Sequence, residues 1–248
     1  MKDEQTIVIG IPGKWKNRDA IVEAIAQHSG GYIFAGMMLN HTETNESFGL
    51  EIYEKDPDLR KAFEFAGMGQ LTEEQLQAID EHTFTIYVIG GGGSIELAQK
   101  MMTVSQALMK IGGLGIKVET TGKAFNNDTW NAICDLKEDA KYYDAFVTKL
   151  RAQDDVYYTC GMHNLGLKDA VIGAVDMNTA IYTLDVFSIY QIVEQPTIEK
   201  GETFSAIENS PYFEILEEED NRYPEGDGFY NKYGMWILRP EQVDKPVS

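Results

Sequence analysis

Four consecutive glycines, Gly90 to Gly93, stand between the apolar run Phe84-Thr85-Ile86-Tyr87-Val88-Ile89 and a helical pattern that opens at Ser94. Strand, glycine turn and helix N-terminus in that order place free backbone N–H groups where an anion can be held. The same order serves a plainer purpose, because glycine lets a backbone turn tightly and pass close to its neighbours. Neither phosphate-binding spacing is complete: Ile95 stands at the last glycine position of G-x-G-x-x-G, and no G-x-x-x-x-G-K-[ST] follows. Glu96, in the first helical turn, opposes a phosphate by charge. The expectation is a conformational turn that binds no nucleotide, with a phosphate-ligand site at Gly90–Ser94 as an alternative.

On either side of the glycines, strand and helix patterns alternate. Thr6–Ile11 reads as a buried strand closed by Pro12-Gly13, followed by a helix capped by Asn17 and stopped at Ser29-Gly30-Gly31. Tyr32–Leu39 and Phe48–Tyr53 read as two strands around a polar loop. Asp56-Pro57 predicts a cap and first helical residue. Thr72 and Gln75 form a capping-box pattern, with Leu71 and Leu76 placed as a hydrophobic staple. After the glycines, Leu97, Met101, Val104, Leu108 and Ile111 keep helical spacing over 94–111. Leu114–Glu119 reads as a strand and Asp128–Arg151 as helix in two pieces. Val156–Cys160 and Ala170–Val175 are further strands, and Asp176 caps an apolar helix to Val193. Phe204–Ala206, Phe213–Leu216 and Met235–Leu238 close the series.

This alternation, without a strict βαβ repeat, predicts an α+β protein with mixed or antiparallel sheets and packed helices. Two ferredoxin-type β-α-β-β-α-β halves are the expected topology. Residues 1–82 form an N-terminal half and 83–248 a C-terminal one, in a single compact unit because no linker separates them.

The formal charge is −19, from 40 acidic and 21 basic residues. Such a balance argues against nucleic-acid binding through a basic surface and against adhesion to anionic membranes. A basic protein partner fits better, and the densest acidic run, Glu217-Glu218-Glu219-Asp220, is the candidate docking segment. The first residues lack signal-peptide features, and the apolar run Met177–Val193 is too short and too interrupted by polar residues for a membrane span. Two cysteines, Cys134 and Cys160, are too few for a disulfide framework. The cytoplasm is the expected compartment.

The richest polar constellation comes from two segments that each follow an apolar strand, Lys117 to Lys123 and Tyr157 to Asn164. Their ends are placed to converge at one sheet edge. Within them, Cys160 and His163 are candidates for nucleophile and base, and Glu119 for a general base or an ion-pair partner of Lys123. No oxyanion motif accompanies them, and a buried, inert cysteine is the commoner outcome. His28, His41 and His82 are scattered, and no His–carboxylate spacing suits a metal. Neither a metal nor any other cofactor is expected.

The stretch Ala107-Leu108-Met109-Lys110-Ile111-Gly112-Gly113-Leu114-Gly115-Ile116-Lys117-Val118-Glu119-Thr120-Thr121-Gly122-Lys123-Ala124, followed by Trp130, resembles the bacterial family called domain of unknown function 4261. Gly112, Gly113, Val118, Glu119, Gly122 and Trp130 carry the likeness, and Gly161-Met162 corresponds to a later Gly-Met element. Leu165 stands where an aromatic is usual. The resemblance spans mainly residues 83–240. It implies a bacterial cytoplasmic protein and supplies no activity.

Whether the protein is an enzyme stays open on these grounds. The expected function is a non-enzymatic, acidic protein-binding module of immunity or regulatory type. The alternatives are a small hydrolase or transferase using Glu119, Cys160 and His163, or the phosphate-ligand site at Gly90–Ser94.

Overall fold

Ile7, Ile9 and Ile11 alternate onto one face of β1 (Thr6–Gly13), and all three are completely buried. They sit at the centre of the larger of two sheets in the computed structural model, which describes residues 5–208 and 210–241. After β1 come α1 (Arg18–His28), β2 (Tyr32–Ala35), β3 (Met38–His41), β4 (Ser47–Glu54), α2 (Leu59–Ala66) and α3 (Glu73–Asp80). Then follow β5 (Phe84–Gly91), α4 (Ile95–Met109), β6 (Ile116–Val118) and β7 (Lys123–Phe125). The remaining elements are α5 (Asn127–Asp135), α6 (Lys141–Phe146), β8 (Thr148–Arg151), β9 (Tyr157–Cys160), β10 (Asp169–Ile172), α7 (Met177–Val193), β11 (Thr203–Phe204), β12 (Phe213–Glu218) and β13 (Met235–Pro240). The class is α+β.

The first sheet has the order β2-β3-β4-β5-β1-β6-β7. β1 is antiparallel to both β5 and β6, and β4 is antiparallel to β5. The pairs β1/β4 and β5/β6 are therefore each parallel at one remove, joined through α1 and α4. This is a split β-α-β-β-α-β arrangement, but a single one that draws β5, α4 and β6 from beyond residue 82, widened by the β2–β3 hairpin at one edge and β7 at the other. α1, through Ile21 and Ile25, and α4 share one core with the isoleucines of β1. Because β5, β6 and β7 all belong to this sheet, a division at residue 82 runs through it.

The second half does not repeat that topology. Its sheet has the order β11-β12-β13-β10-β9-β8, two antiparallel meanders joined by a single parallel pair, β10 with β13. One helix, α7, makes the crossover. Ala180, Leu184 and Phe187 of α7 pack on this sheet, while Ile189 and Ile192 reach the core of the first. A helix covered on two sides needs no polar face there, which accounts for the apolar run at Met177–Val193. No helix among the described residues is long and apolar enough to cross a membrane.

Several local expectations shift. Tyr32–Leu39 is two strands, because Gly36 adopts φ +68° and turns the chain back. Thr148–Arg151, expected as helix, is β8 and pairs with β9. β1 continues through Pro12-Gly13; β6 pairs with it only at Ile9 and Gly10, so Pro12 has β5 alone as a strand neighbour, where a missing N–H is tolerated. Asp58 flanks α2 in place of Asp56, whose carboxylate accepts the Asp58 N–H at 2.9 Å. The capping box at Thr72 and Gln75 is present in both directions, and Asn17, Ser94 and Asp176 cap their helices.

Candidate functional site

The glycine run divides its work between strand and turn. Gly90 and Gly91 end β5, and Gly92 and Gly93 lead to Ser94, whose Oγ accepts the Leu97 N–H at 3.2 Å. The Gly92 N–H donates to Gln5 O at 2.7 Å and the Gly93 N–H to Asn164 O at 2.9 Å. A side chain on Gly166, at φ +77°, would collide with the Gly93 carbonyl. Glycine at 166 thus lets two backbones touch, and the touch locks the start of α4 onto the loop after β9; a side chain on Gly93 would instead meet the Tyr233 hydroxyl.

Beside this lock lies a cleft of about 470 Å³, a volume suited to a small molecule. Gly93, Ser94 and Ile95 form one wall, and Leu165 to Lys168 a second. Gln191 and Gln195, at the end of α7, join Tyr233 and Trp236 to complete it. The Gln191 side chain is 3 % exposed as a residue, and its Oε1 accepts the Trp236 indole N–H at 3.1 Å. An indole nitrogen only donates, which fixes the amide orientation and leaves Nε2 as a buried donor. That Nε2 has no partner among the described residues. The Lys168 ammonium pairs with Glu217 and lies 4.0 Å from the Trp236 ring centroid. Burial raises the Tyr233 hydroxyl above its ordinary pKa, so it stays a donor.

Glu96 does not face this cleft as an obstacle. Its carboxylate is exposed and takes a hydrogen bond from Lys100 at 2.8 Å, which pulls its pKa below the ordinary value. None of the described residues lining the cleft is acidic.

The two polar segments do converge. The Thr121 methyl lies 2.6 Å from the position a Cβ on Gly161 would take, and Gly161 adopts φ +123°. Thr120, Thr121, His163 and Asn164 are buried there, each with a side-chain polar atom that no described residue pairs. Lys123 donates to the carbonyls of Asp144 and Val147 nearby, and burial lowers its pKa to about 8.

Convergence does not assemble a catalytic set. Cys160 is buried, its thiol directed at the Phe229 carbonyl at 3.9 Å, and burial pushes its pKa up, with Asp169 adding to the shift. A nucleophilic cysteine needs the opposite, an accessible and stabilised thiolate. The His163 Nδ1 is 4.0 Å from Asp169 Oδ2, and the ring is completely buried. Glu119 pairs with Lys117, not Lys123, and lies against Gly10.

The acidic run also separates by role. Asp220 is 5 % exposed; its carboxylate accepts the backbone and Nε hydrogens of Arg222, both at 3.0 Å, and the Asn231 N–H at 3.1 Å. It is a structural anchor and is withdrawn from the docking segment. Glu217, Glu218 and Glu219 are exposed, with Glu217 held by Lys168.

Lys168, Gln191, Tyr233 and Trp236 escape sequence reasoning, since they come from three separate segments and form no motif. The glycines before Ser94 were the available signal. No protein-family model, curated protein or solved structure matches the chain.

Proposed function

We propose that the protein is a non-enzymatic binding module whose recognition site is the cleft between the start of α4 and the second sheet. The observation that carries this reading is the cleft itself, about 470 Å³ and without an acidic residue among its described lining in a chain with 40 acidic residues. The inaccessible Cys160 and the Lys117-bound Glu119 weigh against the hydrolase or transferase alternative. The cytoplasm suits two unpaired cysteines, and the charge of −19 disfavours nucleic acid. A bacterial source and kinship with domain of unknown function 4261 stand on the residues quoted for that resemblance.

A thermal-shift screen of small metabolites against the protein and against Ile198→Trp, which fills the cleft from one side, tests the reading. Ligands should raise the melting temperature of the parent and not of the filled variant. Equal shifts in both would place binding elsewhere.

A second reading keeps the end of β12 as a docking segment for a basic protein, favoured by the exposure of Glu217, Glu218 and Glu219. Replacing all three with glutamine should slow association with a captured partner and flatten its salt dependence. Unchanged rates would remove the segment from the interface.

A further inference from the structure

A quarter of this chain's residues are charged, yet Lys168 is the one charged residue among the described lining of the cleft. Its ammonium is committed on two sides, to the Glu217 carboxylate and to the Trp236 ring, whose centroid is 4.0 Å away. Other polar groups of the wall are turned to partners within the fold. Gln191 Oε1 accepts the Trp236 indole N–H, and Ser94 Oγ accepts the Leu97 N–H.

The side chains left for a ligand are neutral. The Tyr233 hydroxyl lies over Gly93, 2.5 Å from where a Cβ on that glycine would sit. Gln195, exposed just after α7, adds an amide that both donates and accepts. Much of the remaining wall is apolar, with Leu165, Leu167, Ile198 and the Trp236 ring. An anion entering this site would shed water and find no free cation unless the Lys168–Glu217 pair opened. A cation would find no carboxylate in the wall at all. Burying a charge without a partner costs far more than burying an amide that is hydrogen-bonded.

We infer that the cleft takes a small uncharged molecule, with an apolar body against Leu165, Ile198 and Trp236 and one amide-like group at the Tyr233 hydroxyl. This rests on the reading of the cleft as the recognition site. A phenol hydroxyl both donates and accepts, so it meets either end of an amide without a proton moving or an ion pair opening. The Lys168–Glu217 pair is then the selectivity element, because it withholds the one charge that would favour an anion.

Calorimetric titration of the full chain with two matched probe sets tests the inference: 4-phenylbutanamide beside 4-phenylbutanoate and 4-phenylbutylamine, and indole-3-acetamide beside indole-3-acetate and tryptamine. At least one amide should bind about tenfold or more tightly than both of its charged counterparts. Tyr233→Phe should weaken that amide several-fold. Glu217→Gln, which frees the Lys168 charge, should narrow the gap between amide and carboxylate by raising carboxylate affinity. Circular dichroism confirms that each variant is folded. Amide binding untouched by Tyr233→Phe, or an unchanged gap in Glu217→Gln, would overturn the roles given to those residues. If in both sets a charged probe binds as tightly as its amide, at a site that Ile198→Trp closes, the uncharged assignment fails while the cleft reading stands. If no probe binds at millimolar concentration, or Ile198→Trp leaves binding unchanged, both fail.

Discussion

Lys123 gives the protein a pH dependence that an exposed lysine would not. Its folded pKa is lowered to about 8 by burial, against an ordinary value of 10.5. Between those values the unfolded chain holds the proton and the folded chain does not, so stability rises with pH across that window. Below about pH 8 both states are protonated and the full cost of the buried charge is present; that cost is at most about 3 kcal/mol by linkage. Relative to Lys123→Met, the parent should therefore gain stability as pH rises from 8 towards 10, measured by urea unfolding. A difference that stays flat would show that Lys123 is solvated in the folded state. Single residues with local consequences were the most legible, since Thr72, Gln75, Asn17, Ser94 and Asp176 act on N–H groups two or three positions away. Lys123 was legible only as a polar residue near a strand end, because the carbonyls that hold it, those of Asp144 and Val147, come from α6 and the residue that ends it, more than twenty positions away.

At the scale of the element, α4 is the member on which most depends: its flank fills the first core and its start shapes the cleft. Leu108 is completely buried in that core. Leu108→Ala should cost about 2–5 kcal/mol, read from denaturant unfolding. A change below about half a kcal/mol would place Leu108 outside the core. The spacing of Leu97, Met101, Val104 and Leu108 made this helix readable. β8 was not, because Thr148-Lys149-Leu150-Arg151 continues a helical-looking stretch and becomes a strand through its long-range pairing with β9. The β2–β3 hairpin was missed for a related reason: an unbroken apolar run conceals a turn that only the positive φ of Gly36 reveals.

On the scale of the molecule, two unlike halves share α7, which serves both cores, and meet backbone to backbone at Gly93 and Gly166. The motif type of the first sheet, a split β-α-β-β-α-β core, followed from the alternation of elements, but its extent did not, because β5, α4 and β6 lie beyond the expected division at residue 82. The second half's parallel β10–β13 pair joins strands more than sixty residues apart, and no local signal specifies it. The cleft inherits that difficulty. Its α4 wall announced itself through the glycines, whereas Gln191 and Trp236 meet only once α7 and β13 are placed. Amide resonances of the ¹⁵N-labelled chain, followed during titration with a compound that raises the melting temperature of the parent, test the central claim, that the cleft is the recognition site, most directly. The backbone signals of Ser94, Ile95 and Lys168, which line the cleft, should move together and saturate with one affinity. Saturable shifts confined to residues away from the cleft would contradict the account.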